Sequence, residues 1–142
     1  MQENEVVTSI VIDAPPDRVW HVLTAFDQYG RWHPTLEIRR GEPVPGSPIQ
    51  MRIAAGTAAE RAAEGTVLEA TANHVLSWEG GMPGLLYGHH RFELAEQDGR
   101  THLTNRESFT GSMVAEVMAG GREVLLAEFD AANQALKAYA EA

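Results

Sequence analysis

The carboxy-terminal segment, residues 112–142, constrains the fold more than any other part of the chain. Apolar side chains recur there every three or four positions, with polar side chains largely between them. That spacing predicts an amphipathic helix with one apolar stripe, roughly 40 Å long at about 1.5 Å per residue. The predicted stripe consists of Val114, Met118, Gly121, Leu125, Phe129, Ala132, Leu136 and Tyr139. The predicted polar side consists of Glu116, Glu123, Asp130, Asn133, Lys137 and Glu141.

The segments that precede this helix alternate apolar and polar residues, as strands do. Residues 6–12 predict a first strand, and Pro15-Pro16-Asp17 then opens a helix, since proline suits a first helical turn. A second short helix or turn over residues 27–33 ends before Pro34. Residues 36–109 predict about six further strands, with a glycine-rich loop at residues 80–84.

One long helix must therefore cover one alternating sheet. Clean alternation is typical of antiparallel strands with one covered face. We predict an α+β helix-grip fold in a single domain, residues 1–142. Its curved antiparallel sheet of about seven strands wraps around the long carboxy-terminal helix, with two short helices after the first strand. Because a curved sheet contacts a helix mainly along one side, we also expect an internal cavity between them.

The charge balance restricts the partners. The 142 residues contain 20 acidic and 11 basic side chains, a formal charge of −9. An acidic surface repels phosphate backbones, so nucleic-acid binding is not expected. There is no cysteine, no His-x-x-x-His pair and no glycine-rich phosphate loop, so we predict neither metal nor cofactor. With a polar amino terminus and no membrane-spanning apolar run, we expect a cytoplasmic monomer or homodimer without stable membrane insertion.

Several stretches along nearly the whole chain carry a family resemblance. They are Ile10 to Trp20, Tyr29 to Pro34, Gly88 to Leu94, Thr101 to Glu107 and Phe109 to Gly111. Together they resemble the START-like helix-grip superfamily (SRPBCC), in particular its bacterial polyketide cyclase/dehydrase-like branch. The resemblance implies a cavity for a hydrophobic small molecule that is lipid-, aromatic- or polyketide-like. Because such folds include carriers and cyclases alike, the fold does not choose between binding and catalysis.

Glu107 is the most informative candidate residue. By alternation it shares a strand face with Leu103 and Phe109, the face that is turned to the helix. Burial there would raise the pKa of the carboxyl and suit it to acid–base work or to anchoring a ligand. The alternative is that Glu107 pairs internally with Arg52, Arg91 or Asn105, or lies in solvent at the end of the sheet.

Histidines and an amide accompany Glu107. His90 and Asn105 fall on the same predicted face, so three polar groups converge in an otherwise apolar region, as in small-ligand sites. His89 must point to the opposite face, where we expect solvent. His33 lies at the predicted cavity mouth, where it would exchange a proton or bind a ligand carbonyl, or would only satisfy a backbone group.

The candidate sites follow from these placements. The catalytic candidates are Glu107 and His33. The predicted ligand-binding residues are Tyr29, Trp32, His33, Met51, Trp78, His90, Phe92, Asn105, Glu107, Phe109 and Leu125. Aromatic and methionine side chains are also ordinary core residues.

Three functional hypotheses follow. The first is binding of a hydrophobic small molecule in the cavity. The second is a cyclase or dehydratase in which Glu107 and a histidine exchange protons. The third is a protein-interaction module whose core is filled by side chains.

Overall fold

A computed structural model describes residues 4–142 and confirms the predicted helix-grip fold. Seven antiparallel strands form one open sheet in the order β1-β7-β6-β5-β4-β3-β2. This sheet wraps around the long terminal helix. The strands are β1 (Glu5–Ile12), β2 (Leu36–Arg40), β3 (Pro48–Ile53), β4 (Arg61–Thr71), β5 (Val75–Met82), β6 (Leu86–Gln97) and β7 (Arg100–Thr110). The helices are α1 (Pro16–Thr24), α2 (Tyr29–Trp32) and α3 (Val114–Glu141), with a 3-10 turn, Phe26–Gln28, before α2.

The two short helices begin and end where proline chemistry requires. Pro15 caps α1 and Pro16 occupies its first turn, where an amide hydrogen would have no partner. Asp17 places a negative charge at the positive end of the helix. α2 stops at His33, whose extended backbone is what the following Pro34 favours.

The predicted loop at residues 80–84 is shorter in the structure. β5 continues through Met82, with Gly81 opposite Tyr87 and Gly80 opposite Gly88 on β6. Glycine has weak strand propensity, so the sequence predicts a loop at these positions. In the structure, pairing of the backbone with β6 nevertheless extends the strand through both glycines. The connection between the two strands is therefore only residues 83–85.

α3 covers the sheet chiefly at β1, and one prediction about it is wrong. Asn133, which we placed on the polar side, is only 2% exposed. It lies four residues after Phe129 and three before Leu136, so all three side chains share one helix face. The buried stripe is wider than one residue per turn, and it contains an amide. No helix within residues 4–142 is long and apolar enough to cross a membrane.

The core divides into two apolar clusters. The larger joins α1, α2 and the carboxy-terminal half of α3 to the sheet, and includes Tyr29, Trp78, Phe92 and Leu136. The smaller lies under the amino-terminal half of α3 and consists of Val6, Phe109, Met118 and Phe129. The polar groups that the sequence places on the covered face lie where the clusters meet.

Candidate functional site

Strand register brings the predicted polar residues together. His90 on β6 is directly opposite Glu107 on β7, and Trp78 on β5 is opposite His90. On the other side of β7, Thr8 of β1 is opposite Asn105. Facing positions of neighbouring antiparallel strands place their side chains about 5 Å apart, so the alternation pattern becomes a cluster.

Glu107 lies in this cluster without a basic partner. In the part of the chain that the structure describes, the only potential cation near its carboxylate is His90, with Nδ1 4.0 Å from Oε1. The Glu107 side chain keeps 22% of its surface exposed, so it borders open space. Burial among apolar groups nevertheless raises the pKa of Glu107 to about 7.

The internal pairs considered for Glu107 do not form among the described residues. Arg91 lies on the opposite face of the sheet and bonds Glu93 and Glu69 at 2.8 and 3.1 Å. Arg52 is 3.7 Å from Glu60. Asn105 uses its side-chain amide on other partners. This carboxyl is therefore left to a ligand or to solvent.

Gly88 provides the room in which the Glu107 carboxyl lies. A Cβ atom built on Gly88 would be 2.3 Å from Glu107 Oε2 and 3.5 Å from the Phe109 ring. Any larger residue would push the carboxyl aside. We call the space bordered by Gly88, His90 and Glu107 on the sheet and by Phe129 on α3 the cleft.

His90 is held in a stack of aromatic rings. Its imidazole lies parallel to Phe129, with centroids 5.2 Å apart and an interplanar angle of 7°, and 4.7 Å from Phe92. Burial lowers the pKa of His90 to about 4; the hydrogen bond to Asn105 opposes that shift and nearby His89 adds to it. The ring is thus neutral at physiological pH.

A chain of hydrogen bonds runs from His90 through the sheet to α3. His90 Nε2 is 2.7 Å from Asn105 Oδ1, Asn105 Nδ2 donates to Asn133 Oδ1 at 2.9 Å, and Asn133 Nδ2 donates to Thr8 Oγ1 at 2.9 Å. The Thr8 hydroxyl donates to the Asn105 backbone carbonyl at 2.8 Å. We call these four residues the polar chain. Thr8 and Asn133 are not among the site residues predicted from the sequence.

The His33 ring is held by backbone amides of the residues that follow it. Its Nδ1 accepts hydrogen bonds from the Thr35 and Leu36 amides at 3.1 and 3.0 Å. Burial, and secondarily His90, lowers the pKa of His33 to about 4. Since Nδ1 is the acceptor, the proton of the neutral ring is on Nε2. The ring can donate from Nε2, but its basic nitrogen is already occupied.

The chain matches the family described as polyketide cyclase / dehydrase and lipid transport over residues 3–141. It belongs to that family. The resemblance seen in the sequence is thereby confirmed. Among curated proteins, none matches the chain.

Solved structures share the fold of this polyketide cyclase/dehydrase family member at low sequence identity. Protein CV1439 from Chromobacterium violaceum is 17% identical with a TM-score of 0.81, over 99% of both chains. The Zhui aromatase/cyclase from Streptomyces sp. R1128 is 19% identical with a TM-score of 0.72, over 96% of this chain and 93% of that one. The di-domain aromatase/cyclase StfQ from the steffimycin biosynthetic pathway is 15% identical with a TM-score of 0.79, over 97% of this chain and 50% of that one.

The other predicted ligand-binding residues of the family member are spread over the core. Tyr29 is fully buried, and its hydroxyl donates to the Leu23 carbonyl at 2.7 Å. Leu125 is half-buried and packs on the smaller apolar cluster. Met51 lines a separate depression of about 380 Å³ on β3 and β4. Trp32 is 8% exposed, and its indole nitrogen has no hydrogen-bond partner among residues 4–142.

The pockets described below do not coincide with the cavity predicted between the sheet and the long helix. A groove of about 570 Å³ lies between Asn4 and the first two turns of α3, and it does not include Glu107 or His90. At the cleft the space is narrow, since the His90 side chain is 13% exposed and that of Glu107 22%. His89, expected in solvent, is half-buried on the other face. From residue 4 onward, no group of three or more acidic or histidine side chains is placed to hold a metal ion.

A pair of His33 variants should separate its backbone role from its ring. His33→Ala is expected to lower the free energy of unfolding by about 2 kcal/mol, because the Thr35 and Leu36 amides lose their acceptor. His33→Asn should recover most of that loss, since its Oδ1 occupies nearly the position of Nδ1. Urea unfolding at pH 7 measures both. Equal stability of the two variants would contradict the backbone role.

Proposed function

We propose that the chain binds a hydrophobic small molecule, lipid-, aromatic- or polyketide-like, in the cleft between α3 and the sheet. The observation that carries the proposal is the Glu107 carboxyl, which lies in an apolar wall without a basic partner among the described residues and is still partly exposed. A few polar groups in an otherwise apolar concavity are typical of small-molecule sites. The chain belongs to a family described as polyketide cyclase / dehydrase and lipid transport, which supports the binding of a hydrophobic small molecule.

The surroundings indicate how affinity and orientation would be divided. Trp78, Phe92 and Phe129 are buried and pack around the His90 ring, so the wall behind the polar groups is aromatic. Removing apolar ligand surface from water in the cleft would contribute roughly 25 cal/mol per Å² to the binding free energy, before the cost of ordering the ligand and side chains. Glu107 and His90 then orient the polar end of the ligand.

Catalysis is the second candidate, because the pKa of Glu107 is close to neutrality and a neutral imidazole lies beside it. A carboxyl with such a pKa can donate and accept protons at physiological pH. His90 suits the partner role better than His33, whose Nδ1 already accepts two backbone hydrogen bonds. An enzyme of this type would lose turnover in Glu107→Gln while its ligand affinity stayed within about tenfold.

Filling the cleft tests the binding proposal. Gly88→Leu places a side chain where the Glu107 carboxyl and Phe109 ring now lie, and should weaken binding of the neutral dye Nile red at least tenfold. Gly120→Leu is the matched control, because a Cβ at Gly120 meets nothing within 4 Å. Fluorescence titration gives both affinities, and circular dichroism checks folding. Wild-type affinity in a folded Gly88→Leu protein would place dye binding outside the cleft and contradict the proposal.

Native mass spectrometry of the purified protein complements this titration. A co-purified small molecule that is absent from Gly88→Leu would support the cleft as the binding site. The interaction-only hypothesis predicts no such molecule in either protein.

A further inference from the structure

The polar chain has only one possible direction. It ends on the backbone carbonyl of Asn105, which can only accept, so the Thr8 hydroxyl must donate there. The Thr8 oxygen then accepts from the Asn133 amide nitrogen, which leaves Asn133 Oδ1 to accept from Asn105 Nδ2. Both amide orientations follow from this one carbonyl. Asn105 therefore presents its oxygen, not its nitrogen, to His90.

This direction fixes the tautomer of His90. An amide oxygen at 2.7 Å requires the imidazole proton on Nε2, so Nδ1 of the neutral ring carries a lone pair. Turning the ring over would break the bond to Asn105. The stacked rings of Phe129 and Phe92 hold its plane. His90 is thus a fixed acceptor on the side where Glu107 lies.

The spacing of the two groups suits one bridging ligand atom. Nδ1 and Glu107 Oε1 are 4.0 Å apart, too far for a direct hydrogen bond, whereas one oxygen can lie about 2.8 Å from both. An oxygen there must donate to Nδ1. A carbonyl or ether oxygen has no proton to donate. A ligand carboxylate would be repelled by the lone pair of His90 Nδ1 and by the Glu107 carboxyl when it is ionised.

We infer, on the basis of the proposed function, that the cleft selects ligands carrying a neutral hydroxyl group, which donates to His90 Nδ1 and exchanges a hydrogen bond with Glu107. Thr8 and Asn133 are positioning residues in this scheme. They do not contact the ligand, but they determine which nitrogen of His90 faces it.

The tautomer of His90 can be tested without a ligand or a variant. Two-bond proton–nitrogen correlations of ¹⁵N-labelled wild-type protein at pH 7 distinguish the two imidazole tautomers. We expect His90 to carry its proton on Nε2. A proton on Nδ1 would overturn the inference whatever the protein binds.

The selection itself is tested with two probes of nearly equal shape, 2-naphthol and 2-fluoronaphthalene. Calorimetric titration at pH 6 should show the hydroxyl compound binding about tenfold tighter, the effect of one well-made hydrogen bond at a buried site. Equal affinities would overturn hydroxyl selection and leave the proposed function standing. Failure of both probes and of Nile red to bind would instead count against the proposed function.

The positioning role is tested by Thr8→Val and Thr8→Ser. The valine variant keeps the shape but removes the donor that orients the polar chain, so we expect a mixture of His90 tautomers and a naphthol preference below about threefold. The serine variant keeps the hydroxyl and should restore both. If Thr8→Val leaves the tautomer and the preference unchanged, the positioning role is wrong, because packing alone would then hold His90.

Discussion

At pH 8, Glu107→Gln should unfold with a free energy about 3 kcal/mol greater than the wild-type protein, and at pH 4.5 the two should differ little. Burial raises the pKa of Glu107 from 4.5 to about 7, and each unit corresponds to about 1.4 kcal/mol. Because the folded-state pKa is the higher one, the stabilisation is fully present below pH 4.5. It is lost as the pH rises through 7. The glutamine is neutral throughout and escapes this loss.

Urea unfolding between pH 4.5 and 9 measures this difference. Subtracting the two curves at each pH removes the histidine contributions that the proteins share. Glu96→Gln is the control, since Glu96 is exposed at the end of β6, and its curve should run parallel to the wild type. A difference between Glu107→Gln and wild type that does not grow between pH 5 and 7 would show that Glu107 is ionised at little cost.

His90 should produce the opposite pH dependence. Its pKa is lowered from 6.5 to about 4, first by burial, so the neutral ring stabilises the fold above pH 6.5 and this contribution is lost as the pH falls through 4. The loss is about 3 kcal/mol. A glutamine side chain at this position would still donate an N–H to Asn105 but has no such titration. The stability advantage of wild type over His90→Gln should therefore shrink by about 3 kcal/mol between pH 7 and pH 4.

His74→Gln is the matched control for this measurement, because His74 is exposed in the turn before β5. Its difference from wild type should change far less over the same range. If the His90→Gln difference is the same at pH 7 and pH 4, the imidazole is protonated in the folded protein without penalty. The Nδ1 lone pair would then be available only above about pH 6.5, where the ring is neutral.

Much of the fold follows from periodicity. Alternation in residues 36–109 and the three-to-four spacing after residue 112 are local signals, and they predict the sheet, the long helix and their contact. The extent of β5 does not follow from periodicity, because Gly80 and Gly81 pair with β6 through backbone bonds and have no side chains that could indicate a strand. Element boundaries depend on such partners, which lie elsewhere in the chain.

The site was predictable only as far as strand faces determine it. Alternation placed His90, Asn105 and Glu107 on the covered face, and the structure places them there. The rotation of α3 about its axis decides whether Asn133 is buried. The predicted apolar stripe was one residue wide per turn and did not include Asn133. The position between Phe129 and Leu136 was the available signal. That Glu107 lacks a cation among the described residues required the register, which puts Arg91 on the other side of the sheet.

Burying Asn133 in an otherwise apolar helix face also specifies where α3 can dock. Apolar side chains tolerate sliding, but a shift of one turn, about 5.4 Å, would carry Asn133 away from both Asn105 and Thr8. The Asn133 amide and Asn105 Nδ2 would then be dehydrated and unpaired, at roughly 1–3 kcal/mol for each group. A single amide thus disfavours misdocked arrangements of a helix whose apolar residues alone would permit several.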